Sequence, residues 1–273
     1  MTTAVNALAR YEDLPARAGA AARVLILADG ADTTATDLAD VIGTDPAFAA
    51  RVISLANSAY YGLSGRVGTL HYAISVIGFQ TIRAIAATIA AGLDRANSVP
   101  DGFWQQAATS ATAASILAPV LGAKPGDAFS VGLLHTLGSA LLHQFSPLPA
   151  LCLPVPADAD AMLEHEERIY GISHAELGAR VLRSWRFPEL LHIVIAEHHN
   201  APLPTANPLD RTLHGARALT DLVLNPGAEI ERVRQTLTWL SEGRLSGTDV
   251  DPLLAQLRDK SAVLLDGLHP NKH

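Results

Sequence analysis

Thr44-Asp45-Pro46-Ala47-Phe48-Ala49-Ala50-Arg51-Val52-Ile53-Ser54-Leu55-Ala56-Asn57-Ser58-Ala59-Tyr60-Tyr61-Gly62 reads as a capped helix that leaves into a polar, glycine-containing turn. The Asp45 carboxylate suits the first free amides of a helix, and Pro46 stands where its missing N–H costs nothing. Phe48, Val52, Leu55 and Ala56 then recur at helical spacing, which makes one face apolar. Elementary physical chemistry carries this segment as far as a buried helix with a specific exit.

Outward from it, helical spacing dominates the 273 residues and no clear period-2 strand emerges. The pattern predicts helices at about 15–28, 34–43, 46–56, 69–76, 79–94, 102–121, 127–145, 159–169, 174–185, 188–199, 207–224, 229–242 and 250–266. Gly43, Gly62, Gly65, Gly68 and Gly78 punctuate the first half with tight turns. Pro147, Pro149, Pro154 and Pro156 crowd one stretch that cannot be helical throughout and reads as an extended surface connection.

Composition narrows the function classes. Hydrophobic residues make up 49% but aromatic ones only 5%, which suits packed Ala- and Leu-rich helices better than an aromatic-rich sandwich. Charged residues are 17% and the net charge is −7, so the chain carries no basic footprint for nucleic acid and disfavours an anionic lipid surface. No apolar window approaches the roughly 20 residues of a membrane span, and the N-terminal Val24-Leu25-Ile26-Leu27 patch is too short for a signal peptide. A lone cysteine, Cys152, excludes an internal disulfide and fits a reducing cytoplasm; it reads as a small core residue. Residues 36–53 imitate a helix-turn-helix, yet residues 31–60 hold four aspartates against one arginine, a net of −3 that would repel phosphate. Nucleic acid is therefore not expected as a partner. No G-x-S-x-G elbow, Walker A loop or G-x-G-x-x-G is present.

Histidine is unevenly placed: only His71 precedes residue 130, and ten follow. Two runs hold most of the candidates. Gly132-Leu133-Leu134-His135-Thr136-Leu137-Gly138 puts a histidine beside a threonine. Gly171-Ile172-Ser173-His174-Ala175-Glu176-Leu177-Gly178 leads through Leu182 and Trp185 to Phe187-Pro188 and Ile195-Ala196-Glu197-His198-His199-Asn200. Ser173 and Glu176 form a capping-box pattern, and Leu177, Val181 and Trp185 line one stripe. His174, His198 and His199 are residue types that zinc takes, but adjacent His198 and His199 would project about 100° apart on a helix, so they read as structural. Glu164-His165-Glu166-Glu167-Arg168 reads as a solvated helix face.

The DPxhxxRVhxLANSAYYG run at residues 45–62 and the SHAELGAxVLxxWxFPxxLxxxIxxHH run at 173–199 resemble HDOD domains, bacterial regulatory modules distantly related to HD-type metal phosphohydrolases. The resemblance covers about residues 8–215, includes Leu14-Pro15 near the start, and fades after about residue 225. It implies an all-α, multi-helix fold in which an N-terminal helical bundle (1–98) packs on an HD-like bundle (99–225), followed by a C-terminal helical appendage (226–273), together one continuous unit.

In HD phosphohydrolases the corresponding stretch reads G-L-L-H-D-I-G, and its His and Asp reach a divalent metal with an earlier His and a later Asp. Here Thr136 replaces that Asp, Gln106 best matches the earlier His, and Arg217 falls at the late Asp, with Asp221 an alternative four residues on. Related positions of the 173–199 run include metal ligands in HD-GYP phosphodiesterases. Only His135 clearly remains of the four HD ligands, so neither metal, cofactor nor catalysis is expected. His135 itself reads as a buried, hydrogen-bonded histidine, with contact to a small ligand or a partner as the alternative.

The resemblance implies a non-catalytic signalling protein in two-component or cyclic di-GMP networks. Its partner would be a response regulator, a diguanylate cyclase or phosphodiesterase, or a kinase, met in trans because this sequence shows none of those domains. Two rival readings are a divergent metal-dependent HD phosphohydrolase and a nucleotide sensor that uses the vacated pocket around Gln106, His135, Thr136 and Arg217, with His174, His198 and His199 nearby. Asp45 and Pro46 belong to the family motif. Asn57, Ser58, Tyr60 and Tyr61 are the best candidates for a contact surface, although Asn57 and Ser58 could instead satisfy backbone groups at the helix end.

Overall fold

The computed structural model describes residues 19–268 apart from 29, 31, 64, 96, 146–158, 202, 204 and 226. The fold is all helical, and no strand occurs among the described residues. Leu14-Pro15, Cys152 and the proline-dense stretch lie outside them.

The N-terminal portion holds α1 (Ala20–Leu27), α2 (Ala35–Ile42), α3 (Pro46–Ala56), α4 (Leu70–Ile77) and α5 (Phe79–Ala90). The start of α3 follows its sequence closely: Asp45 Oδ1 accepts from the Ala47 and Phe48 amides at 3.0 and 3.1 Å, with Pro46 in the first turn. Phe48, Val52, Leu55 and Ala56 are buried. At Gly78, whose φ of 86° a side chain would resist, the chain turns by 104° from α4 into α5. No single helix among the described residues is long and apolar enough to cross a membrane. The bent α4–α5 pair has the composition, but Ile82 to Thr88 are buried inside the protein.

The sequence reading offers Asn57, Ser58, Tyr60 and Tyr61 for contact; the structure turns them largely inward. Asn57 pins the following loop, donating to Val67 O at 2.7 Å and accepting from Val67 N at 2.9 Å, while Ser58 Oγ donates to Leu55 O. The Tyr60 ring packs edge-on against Tyr61 and Phe129. Burial pushes both phenols above their ordinary range. These groups satisfy a helix exit, as their types allow.

The centre of the molecule is α6 (Phe103–Leu121), flanked by α7 (Pro125–Leu134), α12 (Pro208–Leu224) and α14 (Val250–Leu268). Ala107, Ala108, Ala111, Ala113, Ala114, Leu117, Ala118 and Leu121 are all fully buried, so this helix is apolar nearly all round, as a central helix must be. Its small side chains let neighbouring backbones come close. The last helix, α14, also reaches α3, with Gly267 against Leu55. Buried arginines tie helix ends together. Arg83, 2% exposed, donates to the Trp185 and Arg186 carbonyls and stacks on Phe187. Arg211 donates to the carbonyls of Leu121 and Leu240, which end α6 and α13 (Ile230–Leu240). Cationic donors suit the negative ends of helix dipoles.

Periodicity predicts a single helix over 127–145; the structure has two, α7 and α8 (Leu137–Phe145), broken at His135–Thr136. Backbone docking explains the break. A Cβ on Gly132 would stand 2.6 Å from Ser110 O of α6, and one on Gly138 would stand 1.8 Å from His174 O. The two glycines are pressed against different helices, and the chain bends between them. His135 and Thr136 are the residues of that bend.

Candidate functional site

The bend delivers His135 to a junction with α10 (His174–Ser184) and α11 (Glu189–Glu197). Its ring is 5.5 Å from that of His198, which lies 5.3 Å from His174 and 4.1 Å from His199. The helical-wheel argument that separates His198 from His199 does not apply, because α11 ends at Glu197 and His198 is its C-cap. Freed from the wheel, both rings turn into one cluster. Among the described residues, the ligand atoms of His174, His198 and His199 lie within 4.8 Å of one another.

A further correction concerns Glu166. On α9 (Ala159–Tyr170) it belongs to the run that reads as solvated, yet its Oε2 accepts from both the amide and Nδ1 of His174 at 2.7 Å. Glu166 therefore caps α10 and fixes the ring orientation of its first residue. Ser173 accepts from the Glu176 amide, but Glu176 turns to Arg180, so only half of the capping box forms.

Hydrogen bonds assign the tautomers. His135 Nδ1 lies 2.8 Å from Gly132 O and His198 Nδ1 lies 2.6 Å from Ile195 O; carbonyls only accept, so both rings carry Nδ1–H. The same holds for His174 against Glu166. Arg217, on α12, donates to His198 O and brings Nη2 to 3.5 Å from His199 Nδ1. With Nδ1 facing a donor, His199 carries its proton on Nε2, which lies 3.0 Å from His174 Nε2 and donates to it. One chain of donors thus runs Arg217 to His199 to His174 to Glu166.

Burial and then the Arg217 charge depress the imidazolium forms. His135 is lowered to about 3, with His174 and His199 adding to the effect against the favourable Gly132 carbonyl. His199 is lowered to about 3 by burial, then Arg217. His198 falls well below its ordinary value by burial, then by His135 and Arg217. Neutral imidazoles here are acceptors with directional lone pairs.

Gln106, His135 and Arg217 line a cavity of about 960 Å3 with His214, Asp221 and Arg232. Gln106 is exposed on its wall, and Asp221 sits one helical turn beyond Arg217. Thr136 is buried, and among the described residues its hydroxyl has no hydrogen-bond partner. A neutral hydroxyl at Thr136 and a guanidinium that donates into the cluster do not suit the carboxylate-rich ligand set on which HD enzymes hold divalent ions.

Comparison with known proteins agrees with this fold. An uncharacterized protein of Treponema pallidum (strain Nichols) is 26% identical over 199 residues, which cover 71% of this chain and 39% of that protein. The chain thus spans about two fifths of the length of the curated relative it matches. Among solved structures, a candidate phosphohydrolase from Shewanella amazonensis SB2B superposes with a TM-score of 0.69 at 26% identity, covering 96% of this chain and 98% of that one. A candidate signal transduction protein from Marinobacter aquaeolei VT8 gives 0.65 at 27% identity, covering 91% of this chain and 58% of that one. The HDOD domain model matches residues 14–201, most of the chain and every histidine of the cluster, and the protein belongs to the HDOD domain family.

Proposed function

We propose that this chain is a non-catalytic regulatory protein of bacterial signalling that acts in the cytoplasm through contact with a protein partner. The partner class is a response regulator, a diguanylate cyclase or phosphodiesterase, or a kinase, in two-component or cyclic di-GMP networks. The observation that carries the reading is the pair Thr136 and Arg217: one carboxylate position holds a buried, unpartnered hydroxyl, and a guanidinium donates to His198 and His199. Neither residue can bridge or neutralise two divalent ions, which HD-type hydrolysis requires. Likeness to the Marinobacter signal transduction protein supports the same direction.

Likeness to the Shewanella phosphohydrolase favours the rival, a divergent hydrolase. Untagged protein supplied with Mn, Fe and Zn should hydrolyse neither an activated phosphodiester nor cyclic di-GMP above the protein-free rate. Turnover that disappears in His135→Ala would overturn the reading.

A further inference from the structure

The cavity of about 960 Å3 beside the histidine cluster is walled mainly by the second half of α12, by α13 and by the turn between them. Both helices follow residue 201, where the HDOD match ends. His214, Arg217, Asp221 and Leu224 succeed one another at three- and four-residue steps, so one face of α12 is turned to the cavity. Arg217 and Asp221 stand four residues apart, the spacing at which opposite charges on a helix meet. They do not pair. Arg217 reaches inward instead, donating to His198 O and facing His199 Nδ1, and Asp221 is left without a partner among the described residues.

Both groups that Arg217 meets are neutral, because burial keeps His199 uncharged. A half-buried guanidinium therefore borders the cavity with no counter-charge, and burial lowers its pKa with no carboxylate to offset the effect. A cation taken out of water without an anion is costly, and the cavity has room for the missing anion. A second observation points to the same wall. Thr220 lines the cavity, is 5% exposed, and its hydroxyl has no hydrogen-bond partner among the described residues. A buried hydroxyl left unpaired calls for a group in the space beside it.

Charge sets the class of ligand. Arg217 and Arg232 are cationic, Asp221 and Glu229 anionic, and none of the four is in an ion pair among the described residues. A dianionic phosphate would suit the guanidinium groups but meet two carboxylates. A ligand that is only cationic would meet two guanidinium groups. A molecule that carries both a carboxylate and an ammonium answers both signs. Its two charged groups are neighbours, as are side chains one turn apart on a helix, whose Cβ atoms lie about 5–6 Å from each other. Leu224 and Val233 give the rest of the molecule an apolar wall.

We propose that the α12–α13 cavity binds a small zwitterion of the amino-acid class, its carboxylate on Arg217 and the Thr220 hydroxyl and its ammonium on Asp221. Binding is read without any partner present, so this site and the partner-mediated function proposed above stand or fall separately.

Thermal melts and calorimetric titration of the untagged protein with each common L-amino acid test the proposal, with inorganic phosphate and AMP as comparisons at equal ionic strength. At least one amino acid should bind at one per chain and raise the melting temperature saturably. Its carboxamide and its N-acetyl form, which each lack one of the two charges, should bind at least about tenfold more weakly. Arg217→Gln and Asp221→Asn should each cost about tenfold or more, and Thr220→Val about three- to tenfold. Asp221 is exposed, so Asp221→Asn keeps the test valid if Arg217→Gln does not fold. No binding by any amino acid at millimolar concentration overturns the proposal, as does binding of phosphate or AMP alone. So does amino-acid binding that folded Asp221→Asn and Thr220→Val leave unchanged.

Discussion

Thr136 and Glu166 are opposite cases of a polar group taken out of water. The Thr136 hydroxyl is buried without a partner, a state that costs about 1–3 kcal/mol. Thr136→Val keeps the shape and removes the cost, so its denaturation midpoint should equal or exceed that of the native chain. A loss above about 1 kcal/mol would mean the hydroxyl is satisfied. Glu166 accepts two hydrogen bonds from one residue, His174. Glu166→Gln should cost about 1–3 kcal/mol and move the downfield Nδ1–H proton signal of His174 upfield, because a neutral amide oxygen accepts more weakly than a carboxylate; an unaltered NMR spectrum would contradict this. Charge and spacing made residues 164–168 look solvated because both are local properties. The Glu166–His174 contact crosses from α9 to the start of α10, and nothing within the run announces it. The histidines themselves were legible as candidates, and His135, His174, His198 and His199 do gather. Their convergence was not legible, because it depends on groups from other helices, His174 and Arg217, that meet the two rings where α11 ends at Glu197.

At the scale of elements, helix ends set by local chemistry follow the sequence closely, whereas ends set by distant backbones do not. The span 46–56 matches α3 because Asp45 and Pro46 write its start into the chain. The break between α7 and α8 is imposed by Ser110 and His174, which meet Gly132 and Gly138 from other helices, so continuous periodicity conceals it. Gly138→Ala sets a methyl 1.8 Å from His174 O, with backbone rather than a flexible side-chain end in its way. The expected loss is about 3 kcal/mol or more, read by urea unfolding. Gly126→Ala, in the first turn of α7, is the internal comparison. Its new methyl would meet only Gln80 Cβ at 3.7 Å, an ordinary contact, and the stiffer unfolded chain should add up to about 1 kcal/mol of stability. Equal effects from the two substitutions would remove close backbone docking as the cause of the bend.

For the whole molecule, the buried cluster makes stability depend on pH within a definable window. His135 is held at about 3 in the folded chain by burial and then Arg217, whereas an unfolded histidine titrates near 6.5. Above about 6.5 neither state binds the proton and the group contributes no pH dependence. Between about 6.5 and 3 the unfolded chain takes up the proton and the folded chain does not, so stability falls as pH falls through that window and levels off below it. From pH 7 to pH 5 His135 alone should remove about 2 kcal/mol. His198 and His199 are depressed in the same direction and add to the slope. Urea unfolding of metal-free protein at pH 7, 6 and 5 should show a midpoint that drops steadily while the denaturant slope stays constant. The effect has a residue-level signature, since His135→Gln removes a titrating group and should flatten the profile by the His135 share. A midpoint unchanged between pH 7 and pH 5 would mean that the cluster takes up protons while folded, and that the Arg217-to-Glu166 relay rearranges instead of resisting them.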